Sequence, residues 1–99
     1  MTMTAKYQVG YRAERKASLE LRREGYYVIR SAGSKGMFDF AAFGKTQVRL
    51  ISVKNVPFGG SITFNKESEE IRQFKVPAIC IKELWVYERR SGWHYKIIG

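Results

Sequence analysis

Between about Tyr7 and Glu24 the apolar positions Val9, Ala13, Ala17 and Leu21 recur every four residues, with Arg12, Arg15, Lys16, Arg22 and Arg23 off that stripe. This spacing predicts an amphipathic helix, and Gly25 can cap its C-terminus. The period then changes from four to two. Tyr26–Arg30 is aromatic and β-branched and predicts a strand, while Ser31–Gly36 holds two glycines and two serines and predicts a turn. A second strand is expected over Phe38–Phe43, and Gly44-Lys45-Thr46 connects it to a third over Gln47–Asn55. Pro57, Gly59 and Gly60 mark a loop. Thr63–Phe74 predicts a second helix, with Asn65 as its N-cap, Glu67, Glu69 and Glu70 favouring its first turns, and Ile71 and Phe74 on its apolar face. Pro77–Tyr87 and Trp93–Ile98 flank the turn Arg89-Arg90-Ser91-Gly92 and predict a closing hairpin. The order αβββαββ implies an α/β domain: a central mixed β-sheet with helices covering its faces. No repeat or low-complexity linker divides residues 1–99, and that length holds one domain with one modest core.

Composition narrows the class of partner. Eighteen Lys and Arg oppose nine Asp and Glu, a formal net charge of +9, which points to a polyanion and first to nucleic acid. The 44% hydrophobic content argues for a folded domain rather than a disordered basic tail. No segment approaches the roughly 18 apolar residues of a membrane span and no cleavable signal is visible, so no membrane partner and a cytoplasmic location are expected. Cys80 is the only cysteine and His94 the only histidine, which leaves no Cys/His zinc site and little basis for a histidine dyad. In Ala78-Ile79-Cys80-Ile81 the thiol reads as a small buried hydrophobe.

Four polar residues stand out against the apolar strands. Asp39 lies between Phe38 and Phe40, in a context where aspartate is depleted and a buried charge needs a cation, a ligand or hydrogen bonds. Ser52 and Lys54 share one face of the third strand while Arg49 faces the other way. Glu14 on an arginine-rich helix would by itself be a solvated partner for a neighbour such as Arg15 or Lys16. Gly33 and Ser34 read as turn residues, and the glutamates near Glu67 are accounted for by the helix dipole. Trp85, Tyr87, Trp93 and Tyr95 alternate along the last two strands, which by default means cross-strand packing, with some of them expected to support a dimer.

The element order, with Asp39 on the second strand and Lys54 on the third, resembles the PD-(D/E)xK nuclease superfamily and its restriction-endonuclease-like fold. More closely, Gly10-Tyr11-Arg12-Ala13-Glu14-Arg15, then Val28-Ile29-Arg30-Ser31-Ala32-Gly33-Ser34-Lys35, then Asp39, resemble the archaeal-type Holliday junction resolvases. The likeness is good over the first 55 residues or so and looser beyond. It implies a structure-specific endonuclease that hydrolyses DNA phosphodiesters with Mg2+ or Mn2+ and works as a homodimer on a branched or four-way junction. It also implies roles. Asp39 and Glu14 would hold the metal, Lys54 would position or activate water, and Ser34 and Arg30 would contact phosphate, with Arg12, Arg15 and Lys35 adding backbone contacts. Ser52 departs from the family, whose residue two before the lysine is a glutamate; a hydroxyl is a neutral, weaker ligand for a hard cation. Some restriction endonucleases with Ser-x-Lys take the missing carboxylate from the following helix. Here that group would be Glu67, or in second place Glu70, since both project near the apolar side of their helix. The alternative is a non-catalytic DNA-binding module that kept the fold and lost the metal site.

Overall fold

A computed structural model describes residues 5–31, 37–57 and 59–99, with side chains from residue 12 onward. The first helix, α1, spans Ala5–Arg23. Its end follows from the sequence. Gly25 takes φ 93°, a left-handed conformation that costs glycine little. Its N–H bonds to Arg22 O at 3.0 Å, and the Tyr26 N–H returns to Leu21 O at 3.1 Å, so the orphan carbonyls are satisfied in a Schellman closure. Arg22 and Arg23 occupy the last turn, where cations complement the helix dipole.

Five strands follow: β1 Tyr27–Arg30, β2 Phe40–Phe43, β3 Val48–Val56, β4 Cys80–Glu88 and β5 Gly92–Ile98, with α2 at Asn65–Gln73 between β3 and β4. They form one sheet in the order β1-β2-β3-β4-β5. Three of the pairings are antiparallel, whereas β3 and β4 run parallel, with Ile51 opposite Glu83 and Lys54 opposite Val86. A parallel pair needs a crossover, and α2 supplies it.

Alternation along the strands divides the core in two. Ile51, Val53 and Trp85 pack with Phe40, Ala42 and Val28 against the α1 stripe of Ala13, Ala17 and Leu21. Val56, Leu84, Val86 and Ile98 point to the other face and pack against Ile71 of α2, with Met37, Phe38, Ile62 and Phe64 closing the edge. The sheet is thus covered by one helix on each face, as the order αβββαββ implies.

Several boundaries differ from the sequence expectation, each for a physical reason. The second strand begins at Phe40 rather than Phe38. Phe38 turns to the α2 side, where its ring meets Phe74 edge-on with centroids 5.9 Å apart, and Asp39 precedes the strand while its N–H still bonds Ile51 O at 2.8 Å. The second helix starts at Asn65, so Asn65 is not its cap. Phe64 holds that position in a left-handed conformation (φ 44°, ψ 48°), and no side chain caps the helix. At the other end Lys82, 7% exposed, donates from Nζ to the carbonyls of Ile71, Arg72 and Phe74 at 2.7, 2.9 and 2.8 Å. A strand lysine therefore satisfies the last carbonyls of α2. The fourth strand begins three residues after Pro77, because the Cys80 N–H closes a turn onto Pro77 O; Cys80 is half-buried, not buried.

The aromatic alternation is cross-strand packing. Trp85 lies opposite Tyr95, and Tyr87 opposite Trp93; the ring centroids of these pairs are 4.8 and 5.1 Å apart, both edge-to-face. Beneath them Arg49 makes a two-pronged ion pair with Glu83 (2.6 and 2.8 Å), and its guanidinium lies over the rings of Tyr26 and Trp85. Hydrogen bonding to Glu83 pushes the Arg49 pKa above its already high value despite burial, so the guanidinium stays cationic.

Candidate active site

Three elements meet at one corner of the sheet. Glu14 follows the buried Ala13 on α1, which leaves its carboxyl at the rim of the helix–sheet interface, with the side chain 20% exposed. Arg30 ends β1, and its guanidinium donates to Glu14 Oε2 at 2.8 Å. Asp39 enters from the segment before β2, and its Oδ2 accepts the N–H of Val53 at 2.7 Å. Val53 is the middle residue of Ser52-Val53-Lys54. A single bond therefore fixes the aspartate against the Ser-x-Lys segment, and it meets part of the need that a half-buried carboxylate has for donors.

Glu14 and Asp39 feel each other. Burial raises the Glu14 pKa above its ordinary value, the Asp39 carboxylate raises it further by charge and hydrogen bonding, and Arg30 pulls it back down. Two acidic groups sharing a partly desolvated corner is an arrangement that an added cation relieves. A hard divalent ion such as Mg2+ needs only one or two carboxylates from a protein and keeps water or phosphate oxygens in its other positions. The Glu14–Asp39 pair fits that demand.

Lys54 is half-buried on the same segment, and no hydrogen bond or ion pair engages its ammonium among the described residues. By strand alternation Ser52 and Lys54 point away from α1, while Ile51 and Val53 point toward it. Ser52 is 2% exposed, a neutral hydroxyl buried on the face away from α1.

The other expected site residues are distributed differently. Glu67 is half-buried and Glu70 is exposed. Neither joins the corner, because no group of three or more His, Cys, Asp or Glu is placed to share a metal among the described residues. Arg12 and Arg15 are exposed on α1, open to a phosphate backbone. Ser34 and Lys35 lie outside the described residues. Arg30 was expected only as a phosphate contact; its ion pair with Glu14 joins positions 16 apart in sequence, and no local spacing signals it. No helix among the described residues is long and apolar enough to cross a membrane.

No known family profile matches the chain, and no curated protein does. Among solved structures it is similar to Archaeoglobus fulgidus Hjc, described as a Holliday junction resolvase from an archaeal hyperthermophile. The TM-score is 0.67 at 24% identity, over 90% of this chain and 72% of that one. The chain has the resolvase fold. That fold is the mixed sheet with a helix on either face, and at its corner Glu14 and Asp39 lie together, with Asp39 bonded to the β3 backbone one residue before Lys54.

Proposed function

We propose that the protein is a metal-dependent DNA endonuclease of the Holliday junction resolvase type. The observation that carries this reading is the Asp39–Val53 hydrogen bond, with Glu14 alongside: it sets a carboxylate pair against the segment that bears Lys54. The resolvase fold and the net charge of +9 support it.

In this reading Asp39 and Glu14 hold Mg2+ or Mn2+. An ion held there would supply an acidified water and charge neutralisation at the phosphate. Lys54 keeps its ammonium for the attacking water or a phosphate oxygen. Arg30 keeps Glu14 in its anionic, ligating form and faces the same corner as the scissile phosphate. Arg12 and Arg15 contact the backbone without reading sequence. Ser52 orients a water, and Glu67 is the carboxylate that a shift of α2 would bring to the third position.

A homodimer presenting two such corners to a junction belongs to this proposal. Trp85 is packed into the core and does not serve that purpose; Tyr27, Ile29 and Phe43 are exposed on the sheet face that α2 leaves open, and they offer an apolar surface for a second copy.

One observation favours a second reading. Ser52 in place of a carboxylate, with no third acid gathered among the described residues, suits a module that binds branched DNA without cutting it. Cleavage of a labelled four-way junction beside a linear duplex of the same sequence separates the two. Paired symmetrical incisions in the junction alone are expected, whereas binding without incision would replace the first reading by the second.

A further inference from the structure

A second polar site lies far along the sheet from the Glu14–Asp39 corner. Between α2 and β5 there is an open cleft of about 570 Å³, lined on the helix by Asn65, Ser68 and Arg72 and on the strand by Lys96 and Ile97. Asn65, Ser68 and Arg72 fall on one helical stripe. We propose that this cleft binds the oxyanion of a phosphate ester, supplied by a DNA backbone phosphate away from the scissile bond.

Ser68 carries the argument. It is 7% exposed, and its Oγ is buried with no hydrogen-bond partner among the described residues. A helical serine hydroxyl can bond back to the carbonyl four residues earlier, beside the regular backbone bond; the Ser68 N–H makes that backbone bond to Phe64 O at 2.9 Å, but Oγ makes no such bond. A native structure rarely leaves a buried hydroxyl unpaired, so a partner from outside the chain is called for.

The surroundings specify an anion. Lys96 donates to Thr63 O at 2.5 Å and retains two further donors. Arg72 brings a guanidinium. Glu69 also lines the cleft, but its carboxylate is engaged by Arg72 and by the Gln73 side chain. The uncapped N-terminus of α2 adds the positive end of a helix dipole.

That the phosphate comes from DNA rests on the nuclease reading; the existence of the site does not. The test is an amide NMR titration of the whole chain, first with inorganic phosphate and then with a linear DNA duplex in EDTA. Both are expected to move the signals of Asn65, Ser68 and Ile97, and the phosphate response should be unchanged in Asp39→Ala.

Ser68→Ala removes an unpaired hydroxyl and is expected to fold with undiminished thermal stability while weakening the phosphate response about tenfold. Lys96→Gln should weaken duplex binding and flatten its log–log salt slope by about one. A phosphate response without a duplex response would overturn the DNA source. No response to phosphate, or one that Ser68→Ala leaves intact, would overturn the site, whether or not the protein cuts junctions.

Discussion

Glu83→Gln tests how β3, the strand that carries Ser52 and Lys54, is held in register against β4. Glu83 is opposite Ile51, and its carboxylate reaches Arg49 through two short hydrogen bonds and the Trp85 indole N–H through a third at 3.0 Å. The side chains are only 6% and 17% exposed, so little water can replace the lost partner. Removing one member of such a pair strands the other charge and costs about 3–5 kcal/mol when both are enclosed. Glu24, 3.5 Å from Arg49, compensates in part, and the Gln amide keeps the shape. A loss of about 2–3 kcal/mol is therefore expected, a large share of the roughly 5–15 kcal/mol that holds a domain together. It corresponds to a fall in Tm on the order of 10–20 °C. Urea unfolding of Glu83→Gln, Arg49→Met and the double variant closes a cycle, and the double variant should be more stable than the sum of the singles by about 1–3 kcal/mol. A loss below about 0.5 kcal/mol for Glu83→Gln, the size of an ordinary surface substitution, would refute the reasoning.

Other consequences are as specific. Lys82→Met leaves Arg72 O and Phe74 O without the donor they have, and Ile71 O with the Phe74 N–H alone; it should cost about 2–4 kcal/mol by urea unfolding, with loss of amide protection in α2 before the sheet. Asp39→Asn removes the charge that helps raise the Glu14 pKa, so an NMR titration of the Glu14 carboxyl should show the pKa falling toward its ordinary value; no change would contradict the coupling. Burial, followed by the hydrogen bond to Glu20, pushes the Tyr95 phenol up to about 12 from its ordinary 10.0. The folded-state value is the higher one, so its stabilisation is complete below the unfolded value and is lost as pH rises from 10.0 to about 12. Tyr95→Phe should remove that part of the alkaline decline in urea stability. Ser52→Glu supplies a carboxylate beside Asp39, and calorimetry should show tighter Mg2+ binding by about tenfold or more; unchanged binding would place position 52 outside the metal site.

The elements were legible because each has a local cause. A four-residue stripe, a glycine at its end and two-residue alternation specify α1 and the strands, and the two-face core follows from which side each apolar residue takes. The cap of α2 was not legible. Asn65 is a good cap by type, but burying the Phe64 ring against the second core fixes that residue in a left-handed conformation and moves the helix start by one position. At the site, Asp39 could be singled out because an aspartate between two phenylalanines conflicts with strand preference, and Lys54 because its face differs from that of Arg49. Arg30 with Glu14, Arg49 with Glu83 and Lys82 with the end of α2 depend on sheet register and crossover geometry, which no short window of sequence contains. The third carboxylate stays unassigned among the described residues for the same reason: Glu67 is on the favourable side of its helix, yet α2 packs over β4 and β5 rather than over the corner where Glu14 and Asp39 meet.

The central claim is that Glu14 and Asp39 form a working metal centre beside Lys54. Its most direct test is incision of a labelled four-way junction with Mg2+, Mn2+ or EDTA, by the native protein and by Asp39→Ala. The account predicts cutting with either ion, none in EDTA and none by Asp39→Ala, while Asp39→Ala still binds the junction. Cutting that persists in EDTA or in Asp39→Ala would contradict it, and so would a native protein that binds the junction with either ion and never incises it.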